Sequence, residues 1–116
     1  RIGGRYCGPC FTFSRWLDDH SELLQKDFVM LQLGDAATSD HPELIERVTG
    51  GGHVGIPFHA IFVAEATMMI DSNGPLGNIG SPSDFEGKKQ IRKMLETGQV
   101  RLTSAEIDQI VETIAD

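Results

Sequence analysis

Long apolar runs are missing from this chain: no stretch of its 116 residues approaches the roughly 18–20 unbroken apolar residues that a membrane-spanning helix requires. Clustered positive charge is nearly missing as well. Ten Lys and Arg stand against seventeen Asp and Glu, for a net charge of −7. That argues against nucleic acid or an anionic membrane as partner, because both reward clustered Lys and Arg. The single basic cluster, Lys88, Lys89, Arg92 and Lys93, reads as a solvated helix face. Cysteine is scarce: two residues, both in one CxxC, do not make a disulfide scaffold and leave the redox compartment open. A second CxxC is lacking, so a four-ligand zinc site would have to recruit His53 and His59; His59 sits in an apolar stretch and neither has helical ligand spacing. No internal repeat or low-complexity tract is found. Arg1-Ile2-Gly3-Gly4 is neither an initiator methionine nor a signal peptide, so the chain is read as trimmed from something longer. The expectation is a soluble protein, cytoplasmic or exported.

What is present suits one globular domain, with 40% hydrophobic and 23% charged residues. Cys10, Phe13, Leu17, His20 and Leu24 recur at spacings of three and four beside Trp16, which predicts a helix over 8–26, loosened at Asp18-Asp19-His20-Ser21. The apolar run 27–33 ends at Gly34-Asp35 and reads as a buried strand. A short helix over 42–48, capped near Asp40 or His41, closes at Gly50-Gly51-Gly52. Residues 58–63 and 67–71 read as two strands of a hairpin, though Ala64-Glu65-Ala66 lacks the usual turn residues. Of Met68 and Met69, which face opposite sides of the second strand, one is assigned to the core.

Residues 72–82, rich in Gly and Pro, read as an irregular loop. Ser83 with Glu86 and Thr103 with Glu106 have capping-box spacing. The helix after Ser83 carries Ile91, Met94 and Leu95 and closes at Gly98. The helix after Thr103 carries the stripe Ile107, Ile110, Val111 and Ile114, which needs a surface to cover; its own domain is the reading adopted over a partner. The order helix, strand, helix, strand, strand, helix, helix is an α/β sandwich.

Cys7-Gly8-Pro9-Cys10 carries the chemistry. Two thiols three positions apart at a helix start share one turn and can close a small disulfide ring. Unpaired N–H groups and the positive end of the helix dipole favour a thiolate there, which makes the outer cysteine a nucleophile near neutral pH. Pro9 suits the first helical turn. Other patterns are weaker. Gly50-Gly51-Gly52-His53-Val54-Gly55 spells G-x-G-x-x-G but follows a helix and precedes a strand, the reverse of a dinucleotide fingerprint. His20, His41, His53 and His59 read as packing or surface residues, and Asp18-Asp19 as a solvated helix end. Tyr6 adjoins the outer thiol and suits a substrate surface.

Tyr6-Cys7-Gly8-Pro9-Cys10 at a helix start, followed by strand, helix, Gly55-Ile56-Pro57, a hairpin and a closing helix, resembles the thioredoxin superfamily over about residues 2–98. Cys-Gly-Pro-Cys is the thioredoxin active-site tetrapeptide, and Gly-Ile-Pro resembles the cis-proline loop. Gly77-Asn78-Ile79-Gly80-Ser81-Pro82 and the C-terminal helix bring the chain closer to bacterial thioredoxin-like proteins than to housekeeping thioredoxin. Tyr6 stands where thioredoxins usually have tryptophan, and Phe11 where lysine is common.

The resemblance implies a thioredoxin-like sandwich, a mixed β-sheet flanked by helices, in one domain over 1–116 with a core over 1–98 and a helical extension over 99–116. It also implies a central strand before the active site. Ile2-Gly3-Gly4-Arg5 is too short for that strand, so the fold is expected to be N-terminally truncated. Open edges on 28–33 and 58–63 would then pair in a non-family order or with another copy of the chain.

By the same resemblance Cys7 is the attacking thiolate and Cys10 the resolving thiol, with Gly8, Pro9, Tyr6 and Pro57 in support. Tyr6, Gly55, Ile56 and Pro57 would contact substrate, Ile56 through its backbone. The implied function is a thiol–disulfide oxidoreductase that reduces or isomerises protein disulfides, Gly-Pro between the cysteines favouring reduction. Its partners would be a disulfide-containing protein and an electron donor, with no cofactor beyond the cysteine pair and no metal. The rival is a thioredoxin-fold protein-binding module with little redox activity.

Overall fold

The computed structural model describes residues 1–4, 6–34, 40–50, 55–65 and 67–114. Helix α1 (Gly8–Asp19) has Pro9 in its first turn, where no N–H partner is lost. It buries Cys10, Phe13, Trp16 and Leu17 along one face. His20 leaves the helical region at φ −112° and ψ 18°, and a single further turn, α2 (Ser21–Leu24), follows. The predicted loosening therefore falls where expected, with Asp18 and Asp19 exposed. Helix α3 (Pro42–Thr49) begins after His41, whose side chain makes no cap bond, and ends at Gly50, whose φ of 77° suits glycine at a helix C-terminus.

Strand β1 (Ala60–Phe62) pairs antiparallel with β2 (Met68–Asp71) in the register Ala60↔Asp71, Ile61↔Ile70 and Phe62↔Met68, with an irregularity between Ile61 and Phe62. This is the predicted hairpin with shorter strands. Met68 is half-buried and Met69 exposed, so neither enters the core as fully as expected. Residues 72–82 are not the irregular loop expected. They contain a second small hairpin, β3 (Asn73–Gly74) with β4 (Gly77–Asn78), paired Asn73↔Asn78 and Gly74↔Gly77. Pro75 and Gly77 hold the second and fourth positions of its turn, and Gly77 takes a φ of 101°. Gly and Pro thus mark a defined turn here.

The strand expected over 28–33 is corrected too. Only Leu33 bridges, and its partner is Ile2. Ile2 lies between Leu33, in parallel, and Phe58, antiparallel. It exchanges both backbone bonds with Phe58 at 2.7 and 3.0 Å, while Gly3 N–H and Arg1 C=O bond Leu33 at 3.1 and 2.8 Å. Among the described residues before α1 no strand forms, as expected, but Ile2 alone makes a bridge on each side, so the edges expected to be open are closed at Leu33 and Phe58. Strand pairing is local. The Arg1 amino group still donates to the Leu31 carbonyl at 2.8 Å, but residues 28–31 and β1 are separated by a cleft of about 940 Å³ lined in part by Arg1, Phe28, Leu31, Leu44, Val48 and Phe62.

Helix α4 (Phe85–Thr97) is capped by Asp84, whose carboxylate accepts Gly87 N–H at 2.6 Å, and not by the predicted Ser83–Glu86 box. A carboxylate one residue closer to the helix takes the orphan N–H first. Helix α5 (Ser104–Glu112) does carry its predicted box: Thr103 Oγ1 accepts Glu106 N–H at 3.1 Å, and Glu106 Oε1 accepts Thr103 N–H at 3.0 Å. Asp27 fastens the approach to α5, accepting the backbone N–H groups of Val100, Arg101 and Leu102 at 2.9, 2.7 and 2.9 Å. Burial raises the pKa of Asp27, but these three bonds and the Arg101 charge outweigh it and hold the carboxyl below its ordinary value.

The core joins α1, α2, α4 and α5: Phe13, Trp16, Leu17 and Leu24 meet Ile91, Met94, Leu95, Leu102, Ile107, Ile110, Val111 and Ile114, with Ile61 and Ile70 of the hairpin against them. The C-terminal stripe is thus buried within the chain. Trp16 Nε1–H donates to the Ile110 carbonyl at 3.0 Å and links α1 to α5 directly. Of the basic cluster, Arg92 pairs with Asp108 and Lys89 lies 4.0 Å from Glu86. The architecture is α/β, and among the described residues no helix is long and apolar enough to cross a membrane.

Candidate active site

Cys7 is the N-cap residue of α1, in extended backbone at φ −110° and ψ 104°. Its sulfur accepts the Cys10 N–H at 3.1 Å, one of the unpaired donors of the helix start. Cys7 and Cys10 are joined by a disulfide with Cα atoms 5.2 Å apart. The two sulfurs sit in unlike places. Cys7 is half-buried, whereas Cys10 is only 7% exposed and faces the Gly3 backbone, where an added Cβ would lie 3.5 Å from Cys10 Sγ. An incoming group therefore reaches Cys7 first.

The Ile56–Pro57 peptide is cis and brings the Ile56 carbonyl within 4.0 Å of Cys7 Sγ. Around this point the surface is apolar and open: Tyr6 is 93% exposed, Phe11 62% and Ile56 44%. Gly8 and Pro9 are exposed at the helix tip, and Pro57 is buried behind Ile56. The structure thus brings Cys7 to the Ile56–Pro57 loop, with Cys10 and Pro57 buried behind them; Tyr6, Gly8 and Pro9 are exposed next to the cysteines in sequence, and Gly55 is exposed next to Ile56.

Behind the face, Phe13 stacks on His59 with ring centroids 4.3 Å apart. His59 Nε2 lies 3.0 Å from the Gly80 carbonyl, which can only accept, so this nitrogen carries the proton. Nδ1 is buried without a partner among the described residues. Burial pushes the imidazole down to about 4, the Gly80 bond opposing, so it is neutral near pH 7. His59 packs against Phe13, and its Nε2–H is committed to the Gly80 carbonyl. His20 and His41 lie at helix ends, His20 Nε2 2.6 Å from Thr113 Oγ1 and His41 3.8 Å from Glu43. His53, the other histidine of the zinc alternative, and the middle of the G-x-G-x-x-G string lie outside the described residues.

Sequence reasoning missed Asn78. Its amide Nδ2 donates to the carbonyls of Gly55 at 2.8 Å and Pro57 at 3.1 Å, the two residues flanking Ile56. Its Oδ1 accepts from Ser72 Oγ at 2.6 Å and from Gly80 N–H at 3.4 Å. An Asn-Gly and Gly-Pro sequence over residues 73–75 was the available hairpin signal. That signal does not say which loop the hairpin touches.

A disulfide at the N-terminus of a helix, facing a cis X-Pro loop in an α/β frame, defines the thioredoxin-like class. A thioredoxin-like family model matches residues 1–64, more than half of the chain, and the protein belongs to that family. The match takes in the cysteine pair, Ile56-Pro57 and β1; it stops short of β2, α4 and α5, whereas the resemblance drawn from sequence ran on to Gly98. Comparison with curated proteins and with solved structures gives no match.

Proposed function

We propose that the chain is a thiol–disulfide oxidoreductase that reduces or isomerises protein disulfides through Cys7 and Cys10. The observation that carries this reading is the disulfide itself, closed at a helix N-terminus 4.0 Å from the Ile56 carbonyl. In the reduced protein the Cys10 N–H and the α1 dipole stabilise a Cys7 thiolate. The thiolate attacks one sulfur of a substrate disulfide; a Cys7–substrate bond forms and the other substrate sulfur leaves as a thiolate, which takes a proton from water. Cys10, once deprotonated, attacks Cys7 Sγ, closes the ring and expels the second substrate thiolate. Two electrons pass to the substrate, and a dithiol donor protein restores Cys7 and Cys10 by the reverse exchange. Tyr6, Phe11 and Ile56 offer apolar contact to the polypeptide around the disulfide, and the Ile56 backbone pairs with an extended segment of it.

The test is dithiothreitol-driven reduction of insulin. Wild type accelerates it, and Cys7→Ser abolishes the acceleration while circular dichroism stays unchanged. Acceleration that survives the substitution, or none from folded wild type, rejects the reading and favours a binding module using the same apolar face.

A further inference from the structure

We infer that Asn78 is a positioning residue for substrate docking: its side chain fixes the backbone of the Gly55–Pro57 loop so that Ile56 alone is presented beside Cys7. The inference rests on the oxidoreductase reading and names a part of the site that lies outside the family-matched residues 1–64.

Three observations carry it. First, the amide spans the loop: one nitrogen donates to both Gly55 O and Pro57 O. Second, its orientation is forced. Two carbonyls can only accept, and the Gly80 N–H can only donate, so the nitrogen must face the loop and the oxygen must face Ser72 and Gly80. Third, the far side is anchored. Ser72 Oγ, fully buried, accepts the His59 N–H at 3.1 Å while donating to Asn78. Gln90 of α4 holds the start of the β3–β4 hairpin by donating to Asp71 O at 3.0 Å and Asn73 O at 3.4 Å.

The consequence is a division of the loop's carbonyls. Those of Gly55 and Pro57 are taken from within the protein, and that of Ile56 points at Cys7. An extended substrate finds one backbone position to pair with, directly next to the attacking sulfur. A loop without the clamp offers three, two of which set the substrate disulfide out of register with Cys7. A small disulfide that needs no strand pairing does not sense the clamp.

The experiment compares wild type, Asn78→Ala and Asn78→Asp on two substrates: insulin, and the small aryl disulfide DTNB. Alanine removes the clamp. Aspartate keeps the oxygen for Ser72 and Gly80 but turns a second oxygen toward two carbonyls. For both variants kcat/KM on insulin is expected to fall about tenfold, mostly through KM, since two loop bonds are lost. The rate at which prereduced protein, freed of dithiothreitol, reduces DTNB in a single turnover is expected to stay within about twofold of wild type, which also shows that the folded cysteine site persists. Amide exchange at Phe58, whose N–H donates to the Ile2 carbonyl at 3.0 Å next to the clamped loop, speeds up in both. Equal losses on the two substrates reduce Asn78 to a structural role and overturn the inference, as does unchanged insulin kinetics. Wild type inactive on both disulfides removes the oxidoreductase reading and the inference together, an outcome distinct from the other two.

Discussion

His59 is the residue at which burial and charge conflict most directly. Its ring is sealed between Phe13 and the Gly80 carbonyl, and its pKa is pushed down to about 4 from an ordinary 6.5. Between those values the unfolded chain binds the proton and the folded one does not, so stability rises with pH across that window. It is complete above about pH 6.5 and is lost as pH falls toward 4, by roughly 3 kcal/mol at the low end. Urea titrations of wild type and His59→Leu at pH 7 and pH 4.5 check this: the wild-type midpoint drops more than the variant's, and equal drops reject the account. At this scale the sequence was informative where chemistry is local. Cys7, Cys10, Ile56 and Pro57 lie in short strings whose residue types point to the disulfide and the cis peptide found there. His59 and Asn78 owe theirs to carbonyls on other segments, Gly80 in one case and Gly55 and Pro57 in the other, which no local pattern encodes.

Helices were legible because their signals are contiguous: the break at His20, the glycine after Thr49 and the Thr103–Glu106 box all sit within a turn of the end they define. Residues 28–33 have the composition of a strand, but a strand exists only where another backbone pairs with it, and among the described residues a bridge forms at Leu33 alone, with one further bond from the Arg1 amino group to the Leu31 carbonyl. The start of α4 lies between these cases. Gly87 looks like an ordinary helix-weakening glycine, yet an added Cβ would stand 2.8 Å from Pro82 Cα and 2.9 Å from the Asp84 oxygen that caps the helix. Alanine elsewhere in a helix gains about 1 kcal/mol over glycine; here the backbone of Pro82 must move and the cap is displaced, for a net loss of about 1–2 kcal/mol. Denaturant unfolding of Gly87→Ala measures the sign, and a raised midpoint contradicts the packing argument.

Across the whole molecule, the core that holds the cysteine helix is completed from the far end of the chain. Ile110 is fully buried, and its neighbours Ile107 and Val111 close the same cluster over Phe13 and Trp16. Truncating Ile110 to alanine leaves a cavity at the centre of this contact and is expected to cost about 2–5 kcal/mol, a large part of a typical domain's stability. Thermal melts by circular dichroism read the loss; a change under about 1 kcal/mol would mean that α5 is peripheral to the fold. The contact has a further consequence. Trp16 is the chain's single tryptophan, and its indole is buried with its N–H on Ile110. The chain therefore carries one indole fluorophore, seated where α1 and α5 meet and distinct in its emission from the single tyrosine. Its emission colour follows the wetting of that seam and not traffic at the rim around Tyr6, so a red shift is an optical signature of the two ends of the chain letting go.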